Sequence, residues 1–433
     1  MSVSEMFRDF IGNLAIDNAA TISDRYGEIT SALNKEFRDT VSPTANTLQV
    51  GSFGRKTGIN GISDLDMLYI MPNRLWDVYK DRKQYQLLSN TKRAIAARYP
   101  KTKIRVDRLV VTVTYTNFHV EVQPVFEQDD GSFKYPDTHA VSWKTTKPRE
   151  EMEAVADLNE QKNGNLRRLC KMVRAWRNTH GMAMGGLLID TLAYNFLSST
   201  TEYDTRSYEY YDWLGHDFFK YLSELPEQSE YAAPGSQQRV KVKKQFQRKA
   251  KKAHQLCLEA IAAEGQKGVN DKWKRVYGRQ FPANKVLEKT KIAVNAARNW
   301  RDTEEFIEDK FPVDIRFDVK IDCEVTQNGF RSYLLREMLT KRFPLLPNKS
   351  LRFYIDEISV PEPYEVKWKV LNRGDEAQRR DCIRGQICTD TGRRERTEST
   401  NFRGAHLVDC YIVKDDVVVA KDRIDVPITL KSS

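Results

Sequence analysis

The stretch "GSFGRKTGINGISDLDMLYI", residues 51 to 70, sets a glycine-serine turn ahead of two aspartates, Asp64 and Asp66, that stand one residue apart in an apolar segment. Side chains on a strand alternate with period two, so both carboxylates point to one face while Leu65, Met67 and Leu68 anchor the strand. Two like charges so close in a poorly hydrated site repel strongly and stay ionised only with a cation between them. Magnesium, a hard ion that takes oxygen ligands and also binds phosphates, fits that demand, with manganese as a substitute. Gly51 and Ser52 can bring backbone N–H groups and a hydroxyl up to phosphate oxygens, and Arg55 and Lys56 add positive charge to the same turn. Further on, "FHVEVQPVF" places a third acid, Glu121, between Val120 and Val122. An acid in mid-strand is costly unless it serves something, so three carboxylates together point to a site for two metal ions.

Around this segment the chain reads as α+β. Ile22, Tyr26, Ile29, Leu33 and Phe37 recur at helical spacing, which predicts a helix over about residues 18 to 39. Residues 75 to 98 read as helical, and "KIRVDRLVVTVTYTNFHVEVQPVF" reads as two strands joined near Asn117. From about 150 to 300 helical spacing dominates, with Leu166, Leu169, Cys170, Val173 and Trp176 on one face of "NLRRLCKMVRAWRNTHG". In "FPVDIRFDVKIDCEV" every odd-numbered residue from Phe311 to Val325 is apolar, and similar β texture continues to the end. The expected division is a sheet-bearing core with an N-terminal helix over 1–150, a helical lobe over 151–304, and a separate β-rich domain, a sandwich, over 305–433.

The 433-residue chain carries a net charge of +10, with 40% hydrophobic and 30% charged residues, and no apolar run long enough to span a bilayer. "MSVSEMFRDF" lacks the pattern of a secretory signal, and the six cysteines show no zinc-ligand spacing, so a cytoplasmic protein without a membrane partner is expected. The excess charge is local: Arg239 to Lys252 holds eight basic residues and no acid. Read as a continuous helix with Val242, Phe246, Ala253, Cys257 and Ile261 on one side, this run leaves nucleic-acid binding open, because it offers few aromatics for base stacking.

The pattern G-S, spacer, D-x-D, then a lone acid on a strand before a proline resembles the polymerase-β-like nucleotidyltransferases. The similarity is closest to the bacterial cyclic oligonucleotide synthases of antiphage defence, relatives of cyclic GMP-AMP synthase. The β-rich end resembles the adenylyl/guanylyl cyclase and SMODS C-terminal sensor domain. The resemblance implies a fold with a nucleotidyltransferase core, catalytic and metal-holding roles for Asp64, Asp66 and Glu121, and nucleotide binding by Gly51, Ser52 and Lys171 of "KMVRAW". It implies nucleoside triphosphates as substrates, purines favoured, a cyclic di- or trinucleotide as product, and a downstream effector encoded nearby. The third carboxylate is glutamate where aspartate is commoner. Two other readings stand beside this one: a linear transferase that tails RNA or builds 2′-5′ oligoadenylate, and an inactive nucleotide-binding scaffold. The C-terminal arginines Arg379, Arg380, Arg384, Arg393, Arg394 and Arg396 suggest an anionic regulatory ligand.

Overall fold

The computed structural model describes residues 1–61, 64–283, 305, 307, 310–327, 331–372, 375–379, 384–400 and 403–429. They group into two compact units, Met1–Thr179 with Met184–Lys285 and His180–Ala183 with Val286–Ser433. The expected domain boundary at residue 304 lies in a stretch, 301–304, outside the described residues. No helix among the described residues is long and apolar enough to cross a membrane.

The first unit opens with helix α1 (Val3–Asn13), started by a capping box between Ser2 and Glu5. Sequence reading missed this helix. Its Phe7 and Phe10 are fully buried, with Phe7 at 5.1 Å from the Trp273 ring and 5.3 Å from Phe281. Helix α2 (Ala19–Arg38) falls where helical spacing placed it and stops at Asp39, whose φ of 54° is left-handed. Then come β1 (Thr47–Gln49), the single-turn helix α3 (Gly51–Gly54), β2 (Asp64–Ile70), the single-turn α4 (Trp76–Tyr79) and α5 (Gln84–Arg98). The segment read as two strands holds three, β3 (Lys103–Val106), β4 (Val111–Thr114) and β5 (His119–Glu127). The extra turn is a tight one in which Asp107 N–H donates to the Val110 carbonyl at 2.9 Å, and "VDRLVV" hides it because valine and leucine flank the polar pair. A hairpin of β6 (Phe133–Asp137) and β7 (Ser142–Thr146) extends β5.

The strand order is β1-β2-β5-β4-β3, with β2 and β5 parallel and the other pairs antiparallel. Leu65, Met67, Val111, Val113, Val120 and Val122 bury one face of this sheet against Ile22, Ile29 and Leu33 of α2 and Leu88 and Ile95 of α5. The opposite face carries Asp64, Asp66 and Glu121. Helices α6 (Pro148–Gln161), α7 (Asn165–Thr179), α8 (Gly186–Ser198), α9 (Tyr211–Glu224), α10 (Gln247–Ile261) and α11 (Val269–Tyr277) complete the unit. The basic run is not helical throughout: Arg239–Lys241 forms β9, paired with β8 (Glu230–Ala232), and the helix begins only at Gln247. Phe246 and Ala253 are buried as expected, but the alternation Arg-Val-Lys-Val at the start of the run has period two and suits a strand.

The second unit contains β10 (Val319–Thr326), β11 (Tyr333–Leu334), β12 (Ser350–Ile358), β13 (Glu365–Leu371), β14 (Arg384–Thr389), β15 (Glu395–Ser399), β16 (Gly404–Lys414) and β17 (Val417–Ile428). Two antiparallel sheets, β11-β10-β12-β15 and β14-β13-β16-β17, share one core in which Ile321, Cys323 and Phe353 meet Trp368, Ile412 and Val419. This is the expected sandwich. Its arginines are less available than the sequence suggests. Arg384 and Arg396 both pair with Glu398, Arg394 with Glu362, and Arg379 with Glu376. Arg380 and Cys382 lie outside the described residues. Cys170, Cys257, Cys323 and Cys410 are buried, whereas Cys388 is exposed on β14.

Because Phe7 seats α1 in the aromatic cluster of α11, Phe7→Ala is expected to cost about 3–5 kcal/mol of stability. Urea unfolding of the purified variant measures this, and a loss below about 1 kcal/mol would show that α1 is not anchored there.

Candidate active site

The register of the sheet assembles the three acids. Asp66 lies directly opposite Glu121 on the adjacent parallel strand, and Asp64 lies opposite His119. Neighbouring strands run ~4.8 Å apart and residues two apart share a face, so the three carboxylates stand side by side on the face opposite the α2 and α5 core, at the end where that face is not covered by the smaller cluster of Val50, Leu68, Val125 and Phe133. All three are partly exposed, while Leu65 and Met67 between them are buried. The same rows continue to the sheet edge: Glu121 pairs with Thr112 and Thr112 with Arg105. His119 is buried at 4% exposure and lies opposite Asp64 on the same face.

Gly51 joins this acid face to the turn before it. Its φ is +64°, and a Cβ added there would lie 1.7 Å from Asp66 Oδ2. Only glycine lets the main chain approach the carboxylate so closely. The next residue, Ser52, faces a cleft of about 1970 Å³, also lined by Lys56 from the same turn and Lys171 from α7. The structure thus brings Ser52 and Lys171 to one cleft and the three acids to one sheet face outside its lining, with Gly51 against Asp66 and the next residue, Ser52, on the cleft. Lys171 is half-buried, and burial pushes its pKa below the ordinary lysine value, with Arg167, Arg168 and Arg174 acting in the same direction. An anion in the cleft would relieve this crowding of positive charge.

The donor set suits a hard divalent cation, since Asp64, Asp66 and Glu121 offer only carboxylate oxygens, and Gly51 keeps the space beside Asp66 free of a side chain. Among the described residues no group of three or more His, Cys, Asp or Glu side chains is placed to hold a metal ion by itself, so a cation here would need water and substrate phosphates as further ligands.

Arg55 departs from expectation. Its guanidinium does not face the cleft but is buried at 5% exposure, with Nε donating to Asp190 Oδ2 at 2.9 Å and Nη1 reaching Glu151 at 3.4 Å. Asp190 also accepts from Thr57 Oγ1 at 3.0 Å and from both Nη atoms of Arg174 at 2.6 and 3.0 Å. Burial pushes the Asp190 carboxyl up, but the guanidiniums of Arg174 and Arg55 outweigh it and hold the pKa at about 2. Burial raises that of Glu151, against the opposing pull of Arg55 and Ser236. The turn at Pro234–Ser236 packs on the start of α6, where Ser236 Oγ donates to Glu151 Oε1 at 3.0 Å. Sequence reading missed Asp190 altogether, although a lone acid in "LLIDTLA" carried a signal: a charge in an apolar helical run needs a buried partner.

Residues 1–159 match the family model of the Second Messenger Oligonucleotide or Dinucleotide Synthetase (SMODS) domain, and residues 301–429 that of the Adenylyl/Guanylyl and SMODS C-terminal sensor domain. Each of these two segments thus matches its own domain family. It is 22% identical over 188 residues to a cyclic AMP-AMP-AMP synthase of Acinetobacter sp. (strain ATCC 27244 / 9458), a match covering 41% of this chain and 52% of that protein. The chain thus spans about half the length of this curated relative. Among solved structures, CdnC in the E. coli MS115-1 CdnC:HORMA-deltaN complex aligns with a TM-score of 0.51 at 13% identity, covering 64% of this chain and 98% of that one. Apo DncV of Vibrio cholerae aligns at 0.45 with 14% identity, over 55% of this chain and 69% of its own. The CdnC likeness shows a shared fold over 64% of this chain.

Gly51→Ala forces a Cβ into the space held by the Asp66 carboxyl. The variant is expected to bind Mn²⁺ at least about tenfold more weakly in an electron paramagnetic resonance titration, while the left-handed backbone alone costs only ~1–2 kcal/mol of stability. Unchanged Mn²⁺ affinity would separate Gly51 from the acid site.

Proposed function

We propose that this chain is a divalent-metal-dependent nucleotidyltransferase that joins nucleoside triphosphates into a cyclic oligonucleotide messenger in bacterial antiphage defence. The observation that carries this reading is the register that sets Asp66 beside Glu121 and against Gly51. Three carboxylates on an open sheet face, next to a cleft with a serine and a lysine, form the layout that phosphoryl transfer needs, because that chemistry depends on positioning and charge stabilisation rather than on a covalent partner.

In this reading Asp64, Asp66 and Glu121 hold two magnesium ions, which supply charge neutralisation of the reacting phosphate and activation of the attacking hydroxyl. Ser52 and the Gly51 main chain take the terminal phosphates of the donor nucleotide, and Lys171 neutralises them from α7. The sugar hydroxyl of a second nucleotide attacks the donor α-phosphorus, the bond to the bridging oxygen breaks, and pyrophosphate leaves. The cleft beside the turn runs on along α2 and α5. A second attack, by the hydroxyl of the first nucleotide on the remaining triphosphate, closes the ring. The β-sandwich is the sensor part, and the effector is a separate protein that reads the product. The relative named a cyclic AMP-AMP-AMP synthase supports a purine product.

Asp66→Asn keeps the size of the side chain and removes the charge that faces Glu121. With ATP, GTP, CTP and UTP present, the variant is expected to release pyrophosphate at least about 10³-fold more slowly than the wild type, in line with the loss of one essential electrostatic element. Its far-ultraviolet circular dichroism should be unchanged. Pyrophosphate release at the wild-type rate would remove Asp66 from the metal site and the reading with it.

A further inference from the structure

Lys171 stands between two arginines of α7 that are tied to the turn carrying Ser52, one directly and one through Asp190. One helical turn before it, Arg167 Nε donates to the Arg55 carbonyl at 3.1 Å. Three residues after it, Arg174 holds Asp190 of α8 through two hydrogen bonds at 2.6 and 3.0 Å. Asp190 in turn accepts from Arg55 Nε at 2.9 Å and Thr57 Oγ1 at 3.0 Å. The chain of bonds ends on the residue that lines the cleft, since the Ser52 carbonyl accepts from the N–H groups of Thr57 at 2.9 Å and Gly58 at 3.0 Å.

We propose that Asp190 is a positioning residue for the nucleotide, holding Ser52 on its turn and Lys171 on α7 at one fixed separation so that a triphosphate meets both at once. Asp190 has no exposed surface and touches no substrate. Four donors converge on its two oxygens, and charge-assisted, bidentate bonds of this kind leave a carboxylate no rotational freedom. Residues 167 and 174 bracket Lys171 on the same helix, so a shift of the turn relative to α7 displaces Ser52 from Lys171 directly. The acids on β2 and β5 are set beside one another by the pairing of those two strands.

The inference rests on reading the cleft as the nucleotide site, and the test separates the two. Asp190→Asn removes the central charge. Arg167→Ala cuts only the direct tie and, being partly exposed, leaves the buried pairs intact. Three quantities are measured on each full-length variant: kcat and KM for nucleoside triphosphates, the Kd of a non-hydrolysable ATP analogue by calorimetry, and Mn²⁺ affinity without nucleotide. Both variants are expected to raise KM and Kd about tenfold or more, since a displacement near 1 Å costs up to ~10²-fold, with kcat changed less than about threefold. Mn²⁺ affinity should stay at the wild-type value, which a general loss of structure would not allow. A fall in kcat with KM and Kd unchanged, a loss of Mn²⁺ affinity, or wild-type nucleotide affinity in both variants would overturn the proposal. If Asp190→Asn does not fold, Arg167→Ala decides alone. A wild-type protein that binds the analogue but makes no phosphodiester would sink the proposed function while the Kd comparison still judges Asp190; one that binds no analogue would sink both.

Discussion

A carboxylate with no exposed surface, Asp190, carries the pull of two buried guanidiniums, and the first unit is built around that exchange of charge. Arg55, Arg174, Asp190 and Glu151 balance to zero net charge. None of the four is tolerable without the others, because removing one partner of a buried pair typically costs about 3–5 kcal/mol. They come from four places: the turn after β1, α6, α7 and α8. The sheet therefore cannot shift against the helices without breaking the set. The same constraint fixes where Ser52 and Lys171 stand across the cleft.

The acid face depends on a second constraint, which is steric. Gly51 can lie against Asp66 only because it lacks a Cβ, and its backbone adopts a conformation that other residues reach at a cost. The residue against the acids, Gly51, and the one that lines the cleft, Ser52, are consecutive in the chain. In the C-terminal sandwich the charge pairing works the other way. Glu398 draws Arg384 and Arg396 together and is held below the usual carboxylate range despite its burial, so these side chains brace β14 and β15. An anion arriving at those arginines would have to displace a glutamate that already occupies them.

Much of this was legible in the sequence. Strand β2 and the position of Glu121 follow from period-two alternation, and α2 and α7 from helical spacing, because in each the buried side chains alone fix the element. The sandwich was legible for the same reason in Phe311 to Val325, although only residues from Val319 onward form β10. What failed were features that depend on partners far along the chain. Arg55 beside glycines reads as added positive charge on the turn, and only its burial against Asp190, 135 residues away, shows that charge turned inward. The basic run reads as one charged helix until the pairing of Arg239–Lys241 with Glu230–Ala232 claims its first part. The turn between β3 and β4 has no glycine or proline to announce it.

The central claim is that the acid face, the Gly51–Ser52 turn and the cleft together close a ring of nucleotides. Its most direct test is a mass spectrum of the products formed by the purified chain with ATP, GTP, CTP, UTP and Mg²⁺, before and after phosphatase treatment. The account predicts a species whose mass is that of two or three nucleoside monophosphates less one water for each, unchanged by phosphatase because a ring has no terminal phosphate. Products that all lose terminal phosphates would show a linear transferase and contradict it.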